Sequence, residues 1–174
     1  MKTNIFYLVL VMLLCVGVNS LNASSVATTD DYRAAIVNPA ALSYGNASGI
    51  AFEGLSGERQ LNENYKVYGN SENFSFVYGK NGEVKEYQLA ISSRLFRNFY
   101  LGGGANWLNK EYDDAKYNAA VLFRPTNMLS FGANMRDIND VPKTQIGVGF
   151  RPYPEKLKFF DKFELTVDTD ISGK

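Results

Sequence analysis

Two stretches decide the fold: Leu129-Ser130-Phe131-Gly132-Ala133-Asn134-Met135-Arg136 and, after a polar connection, Gln145-Ile146-Gly147-Val148-Gly149-Phe150-Arg151. In the first, Leu129, Phe131, Ala133 and Met135 alternate with Ser130, Gly132, Asn134 and Arg136; in the second, Ile146, Val148 and Phe150 alternate with Gln145, Gly147, Gly149 and Arg151. A period of two places successive side chains on opposite faces of a strand, whereas an amphipathic helix would repeat every three or four residues. The same split continues outward. Phe163, Leu165 and Val167 oppose Glu164, Thr166 and Asp168, and Tyr87, Leu89 and Ile91 oppose Gln88, Ala90 and Ser92. Phe74, Phe76 and Tyr78 mark an earlier strand, and Ile50 with Phe52 the first.

Turn signals punctuate these runs. Asn81-Gly82 suits a two-residue hairpin because both residues tolerate positive φ. Arg97-Asn98 and Pro125-Thr126-Asn127 read as short turns, residues 110–115 and 138–142 as longer polar loops, and residues 153–161 as the longest late connection. The chain from about Gly49 is therefore expected to be all-β, an antiparallel up-and-down meander of about nine strands. Leu101-Gly102-Gly103-Gly104-Ala105-Asn106 returns as Leu129-Ser130-Phe131-Gly132-Ala133-Asn134 at an offset of 28, one hairpin later. Arg124-Pro125 likewise returns as Arg151-Pro152 at an offset of 27, at strand ends where Pro is tolerated. Upstream, the Ala-rich residues 30–41 suggest a short helical turn with Asp30 or Asp31 as N-cap and Pro39 as its stop.

Alternation alone fits a membrane barrel with its apolar face outward or a soluble barrel or sandwich with that face inward. The other face carries Gly, Ser, Asn, Gln, Thr and single charges, which suits a crowded, hydrated lumen better than a soluble exterior rich in Lys and Glu. A transmembrane β-barrel, or an N-terminal part of one, is the favoured reading, and a secreted soluble β-barrel binding module the alternative. Lumen-lining candidates are Gln88, Arg94, Asn106, Arg124, Asn134, Arg136, Arg151, Glu164 and Asp168. Glu164, Asp168 and Asp170 are expected to pair there with Arg94, Arg124, Arg136 or Arg151. Tyr78, Tyr87, Phe99, Tyr100, Trp107, Tyr117, Phe123 and Phe150, near strand ends, fit two interfacial girdles.

The start of the chain reads as an export address. Lys2 precedes residues 5–18, all apolar or Gly, too short a run for a spanning helix and suited to a signal peptide. Small residues place cleavage after Ser20 or Ala23. An acylated Cys15 or an uncleaved anchor are the competing readings. Domain organisation follows as a signal peptide over 1–23, an N-terminal segment over 24–48, a β region over 49–171 and a tail over 172–174.

Composition narrows the chemistry. The 174 residues contain no His, and Cys15 is the single Cys, so removing the leader leaves neither imidazole nor thiol. That excludes His or Cys zinc sites, Cys-His pairs and a Ser-His-Asp triad within the chain. Lys and Arg number 18 and Asp and Glu 18, a balance that implies no nucleic-acid partner. Glu111 with Asp113-Asp114, and Asp137 with Asp140, read as solvated loop charge. Gly102-Gly103-Gly104 lacks the Lys-Ser/Thr ending of a phosphate loop and reads as a strand kink or close lumenal packing. A non-enzyme without metal or cofactor is expected.

Asn38-Pro39-Ala40-Ala41-Leu42, followed by Gly45 and a first strand near Gly49, resembles the N-terminus of the FadL/OMPP1/PorV-like outer-membrane β-barrels. The run from Phe123-Arg124-Pro125 through Gly132-Ala133-Asn134, with Arg136, Asp137 and Asn139, looks like the strand-turn-strand signature of related barrels. The resemblance implies an outer-membrane location after export, insertion by the barrel-assembly machinery among outer-membrane lipids, and uptake of a hydrophobic small-molecule ligand or a scaffolding role. It also implies that Asn38, Pro39 and Ala40 act as a plug. A similar barrel-like region precedes the protease domain of some SppA-type signal peptide peptidases, which gives the alternative of a segment whose catalytic domain lies outside this chain. Ending at Asp170-Ile171-Ser172-Gly173-Lys174 without a terminal aromatic residue, the chain reads as truncated or as the N-terminal part of something longer.

Overall fold

The computed structural model describes residues 25–29, 31–45, 48–54, 63–109, 111–151 and 165–172. Nine strands form one sheet: β1 (Gly49–Gly54), β2 (Asn64–Asn70), β3 (Phe74–Asn81), β4 (Val84–Phe96), β5 (Phe99–Leu108), β6 (Lys116–Phe123), β7 (Leu129–Arg136), β8 (Lys143–Phe150) and β9 (Leu165–Ser172). Each pairs with its sequence neighbour, in the order β1 to β9, and every pair is antiparallel. The all-β meander expected from the alternation is the architecture.

Register carries the alternation across the sheet. Phe131 lies opposite Phe123 and Val148, and Val148 opposite Val167, so one face stays apolar from strand to strand. Gly132 faces Leu122 and Gly147, and Gly147 faces Asp168, on the other side. The hairpin between β3 and β4 differs from expectation by one residue. Asn81 pairs with Val84, so the loop is Gly82-Glu83. Gly82 takes φ 63, which places the positive φ at the first loop position, where glycine carries no Cβ penalty.

The N-terminal segment also departs from expectation. Its helix is one turn, Ala34–Val37, with Arg33 at the N-cap and no side-chain cap bond. Asp31 instead accepts from the Arg33 backbone N–H at 2.9 Å and pairs with its guanidinium at 2.9 Å. Burial alone would lower the Arg33 pKa, but the Asp31 hydrogen bond and charge outweigh it and hold the group above its ordinary value. Asn38, extended because Pro follows, ends the turn. Pro39 then opens a 3-10 turn, Pro39–Ala41, at the position where the N–H that Pro lacks would have no partner within the turn, and Leu42–Gly45 continues the chain. Asp30, the leader over 1–23, residues 153–161 and the pair Phe163-Glu164 lie outside the described residues.

The core lies on the small and polar face. Ala34, Ala35, Ala40, Ala41 and Leu42 pack there against Tyr68, Val77, Ala90, Tyr100, Ala120 and Leu122. The apolar face is open: Phe131, Val148 and Leu165 each stay about 40% exposed, and at the sheet edges Ile50 reaches 87% and Val167 71%.

Candidate functional site

The N-terminal segment sits against the sheet because the sheet leaves room for backbone. A Cβ on Gly102 would collide with Ala40 N and Pro39 C, and one on Gly132 with the Val26 carbonyl, so only glycine admits the segment at both points. Gly103, next to Gly102 on β5, faces the opposite side, and a Cβ there would meet only Asn118 O at 3.1 Å. At Gly102 the triplet thus gives close packing against backbone of the N-terminal segment.

Buried carbonyls of a non-strand segment need donors, and the polar face supplies them. Gln88 Nε2 donates to Ala35 O at 2.5 Å, Asn134 Nδ2 to Val37 O at 2.8 Å, and Asn70 Nδ2 to Tyr32 O at 3.2 Å. Arg151 donates to Thr28 O. Asn38, fully buried, donates to Val26 O and to Val121 O at 3.1 Å while its Oδ1 accepts from Ala40 N at 3.1 Å. Asp168 accepts from Ser25 Oγ at 2.7 Å and from Val26 N at 3.1 Å. Aromatic contacts complete the seat. The Arg124 guanidinium lies 3.7 Å over the Tyr44 ring, Tyr44 meets Tyr100 edge-on at 5.7 Å, and Tyr32 meets Tyr68 at 4.9 Å. Tyr68 donates to Glu53 at 2.6 Å.

Gln88, Arg124, Asn134, Arg151 and Asp168 therefore converge on the segment that contains Asn38, Pro39 and Ala40. Asn106 shares their face half-buried, opposite Gln88 and Lys116. Two candidates stand apart. Arg94 is exposed at the β4–β5 hairpin, where it donates to Arg97 O at 2.7 Å and reaches the site only through the Tyr100 ring, 5.9 Å from its guanidinium, and Arg136 is exposed and reaches Gln145 at 3.4 Å. Glu164 lies outside the described residues. The expected pairing of Asp168 with arginine gives way to its bonds with Ser25 and Val26, because the segment brings an O–H and an N–H directly to the carboxylate. The face is occupied where a hydrated lumen was expected. Asn70, Tyr44 and Tyr68 were missed, since Tyr68 breaks the small-and-polar rule of its face. Replacing Asn38 with Leu should cost about 1–3 kcal/mol, because it removes partners from buried groups at three positions; chemical denaturation of the folded protein measures it.

The open face carries two chains of aromatic contacts. Phe52, Tyr65, Tyr78, Tyr87, Trp107 and Tyr112 follow one another with ring centroids 5.3–6.0 Å apart. Phe96, Phe99, Phe123 and Phe131 form the second chain at 5.0–6.4 Å. Tyr100, expected among the girdle residues, points to the other face and is buried against Tyr44. Phe99 and Trp107 are eight residues apart on β5, about 26 Å along a strand and about 20 Å of height at a tilt of about 40°. Leu89, Leu101, Val121, Ile146 and Val148 are exposed apolar residues of the same face. No helical turn among the described residues is long and apolar enough to cross a membrane. Comparison with protein-family models, curated proteins and solved structures finds no match to this chain.

Proposed function

We propose that this chain forms the wall of an outer-membrane β-barrel of FadL-like kind, non-enzymatic, whose N-terminal segment plugs the interior and whose role is uptake of a hydrophobic compound. The observation that carries this reading is the inversion of the usual order: the sheet leaves its apolar face open and buries its Gly, Ser, Asn and Gln face under residues 25–29 and 31–45. In water that arrangement wastes the apolar area; in a bilayer it is the favourable one. Two bands of aromatics about 20 Å apart in height fit the two interfaces. Uptake is favoured over scaffolding by what the plug covers. Moving residues 34–42 away would uncover Tyr68, Val77, Tyr100 and Leu122, an apolar lining suited to a hydrophobic ligand. Because neighbouring strands alternate in direction, β1 and β9 run the same way and do not close on each other as an antiparallel pair. In hydrocarbon their outer edges need strand partners.

Fractionation tests the proposal. The protein should resist high-salt washing, require detergent for extraction and migrate faster on gels unheated than heated. Recovery in the soluble fraction without detergent contradicts it.

A further inference from the structure

We infer that the hydrophobic compound taken up is a peptide: the inner face binds an extended polypeptide with small apolar side chains, and residues 25–29 and 31–45 occupy it as that ligand's stand-in. The inference rests on the uptake reading above and names its substrate class. Its basis is what the sheet touches. Gln88, Asn134 and Asn70, on three different strands, each donate a side-chain N–H to a main-chain carbonyl, those of Ala35, Val37 and Tyr32. Asp168 accepts the main-chain N–H of Val26. These are groups that any peptide carries, so the face recognises backbone before sequence.

Side chains are read mainly for size. Four of the five segment residues in the core are Ala, at 34, 35, 40 and 41, with Leu42 the larger one. Gly102 and Gly132 leave the space in which Ala40 N and the Val26 carbonyl approach, a closeness that requires a strand without a Cβ. A plain hydrocarbon is the wrong occupant. In place of the segment it would leave Gln88 and Asn134, 4% and 0% exposed, with buried N–H groups and nothing to donate to. Sites built around such donors reject ligands that lack the acceptor. A peptide with small apolar side chains meets both demands of the face, since it covers Tyr68, Val77, Tyr100 and Leu122 and returns a carbonyl to each donor.

The full chain carrying N38L offers the seat, because Asn38 anchors the segment and belongs to the ligand side of the contact. Water-soluble maleimide labelling of N38L/A40C checks that the segment has lifted. Fluorescent probes are then titrated in detergent and read by anisotropy: a short peptide of Ala, Ser and Val, the same peptide with Leu at every Ala, a peptide of residues 31–45, and a dansylated alkane. The Ala-Ser-Val peptide should bind saturably and roughly tenfold tighter than its Leu counterpart. In the peptide of residues 31–45, replacing the carbonyls of Ala35 and Val37 with alkene isosteres should weaken binding roughly tenfold per carbonyl, with the protein itself unaltered. Binding of the 31–45 peptide alone, with the Ala-Ser-Val peptide excluded, makes the segment a plug and nothing more and overturns the inference. Isosteres or Leu peptides that bind as well as their parents overturn it too. Binding of the dansylated alkane with no peptide bound overturns the peptide and keeps the uptake reading; binding of no probe overturns both.

Discussion

Replacing Gly102 with Val should expel the segment around Ala40 from the sheet, whereas the same change at the adjacent Gly103 should leave it seated. At Gly102 the new Cβ meets backbone atoms of Pro39 and Ala40, which cannot rotate away as a side-chain tip can. Overpacking of this kind costs about 3 kcal/mol, enough to shift the docked state by more than a hundredfold. Gly103 faces the opposite side, where a Cβ meets a single carbonyl oxygen at 3.1 Å. A Cys at position 40, fully buried in the native arrangement, gives the readout. Water-soluble maleimide should leave it unmodified in the otherwise native chain and in the G103V background, and label it rapidly in G102V. Protection in all three would mean that the segment does not depend on the glycine.

The second large effect is expected on the open face. Val148→Arg places a guanidinium midway along β8 on the side proposed to meet lipid, at a cost of about 2–4 kcal/mol near the bilayer midplane. Asn134→Arg, the natural comparison from the alternation alone, is a poor control, because Asn134 is fully buried beneath Val37. Asn106→Arg is the better one: the residue is half-buried on the inner face, where an added charge should cost less. Folding yields in vesicles, read from gel migration before and after heating, should fall steeply for Val148→Arg and little for Asn106→Arg. Equal losses would remove the distinction between the faces.

Strand identity was legible because one rule, apolar against small or polar, operates uninterrupted at Phe131, Val148 and Leu165. It fails where residues of the N-terminal segment pack on the sheet. Tyr68 and Tyr100 are aromatic yet inward, since they pack on Tyr32 and Tyr44. Arg94 shares the face of Tyr100, opposite it in register with its guanidinium 5.9 Å over that ring, but sits exposed near the end of β4, away from the segment. The Asn38-Pro39-Ala40 segment drew attention through resemblance, but its partners did not. Gln88 and Ala35 are 53 residues apart, and Asn134 and Val37 are 97 apart, contacts that periodicity within one strand cannot encode. The glycines in the alternation allow a strand kink or close packing; that the packed object is a stretch of the same chain, between Ser25 and Gly45, required the three-dimensional arrangement.

The orientation of the sheet is the central claim, and single-Cys labelling tests it most directly, since the sequence holds no Cys beyond residue 15. Fluorophores at positions 131, 148 and 165, and at the half-buried position 106 on the opposite face for comparison, are placed in vesicles containing nitroxide quenchers on the acyl chains. Strong quenching is expected at 131, 148 and 165 and little at 106. Labels at 131, 148 and 165 that report burial within protein, untouched by the lipid quenchers, would contradict it.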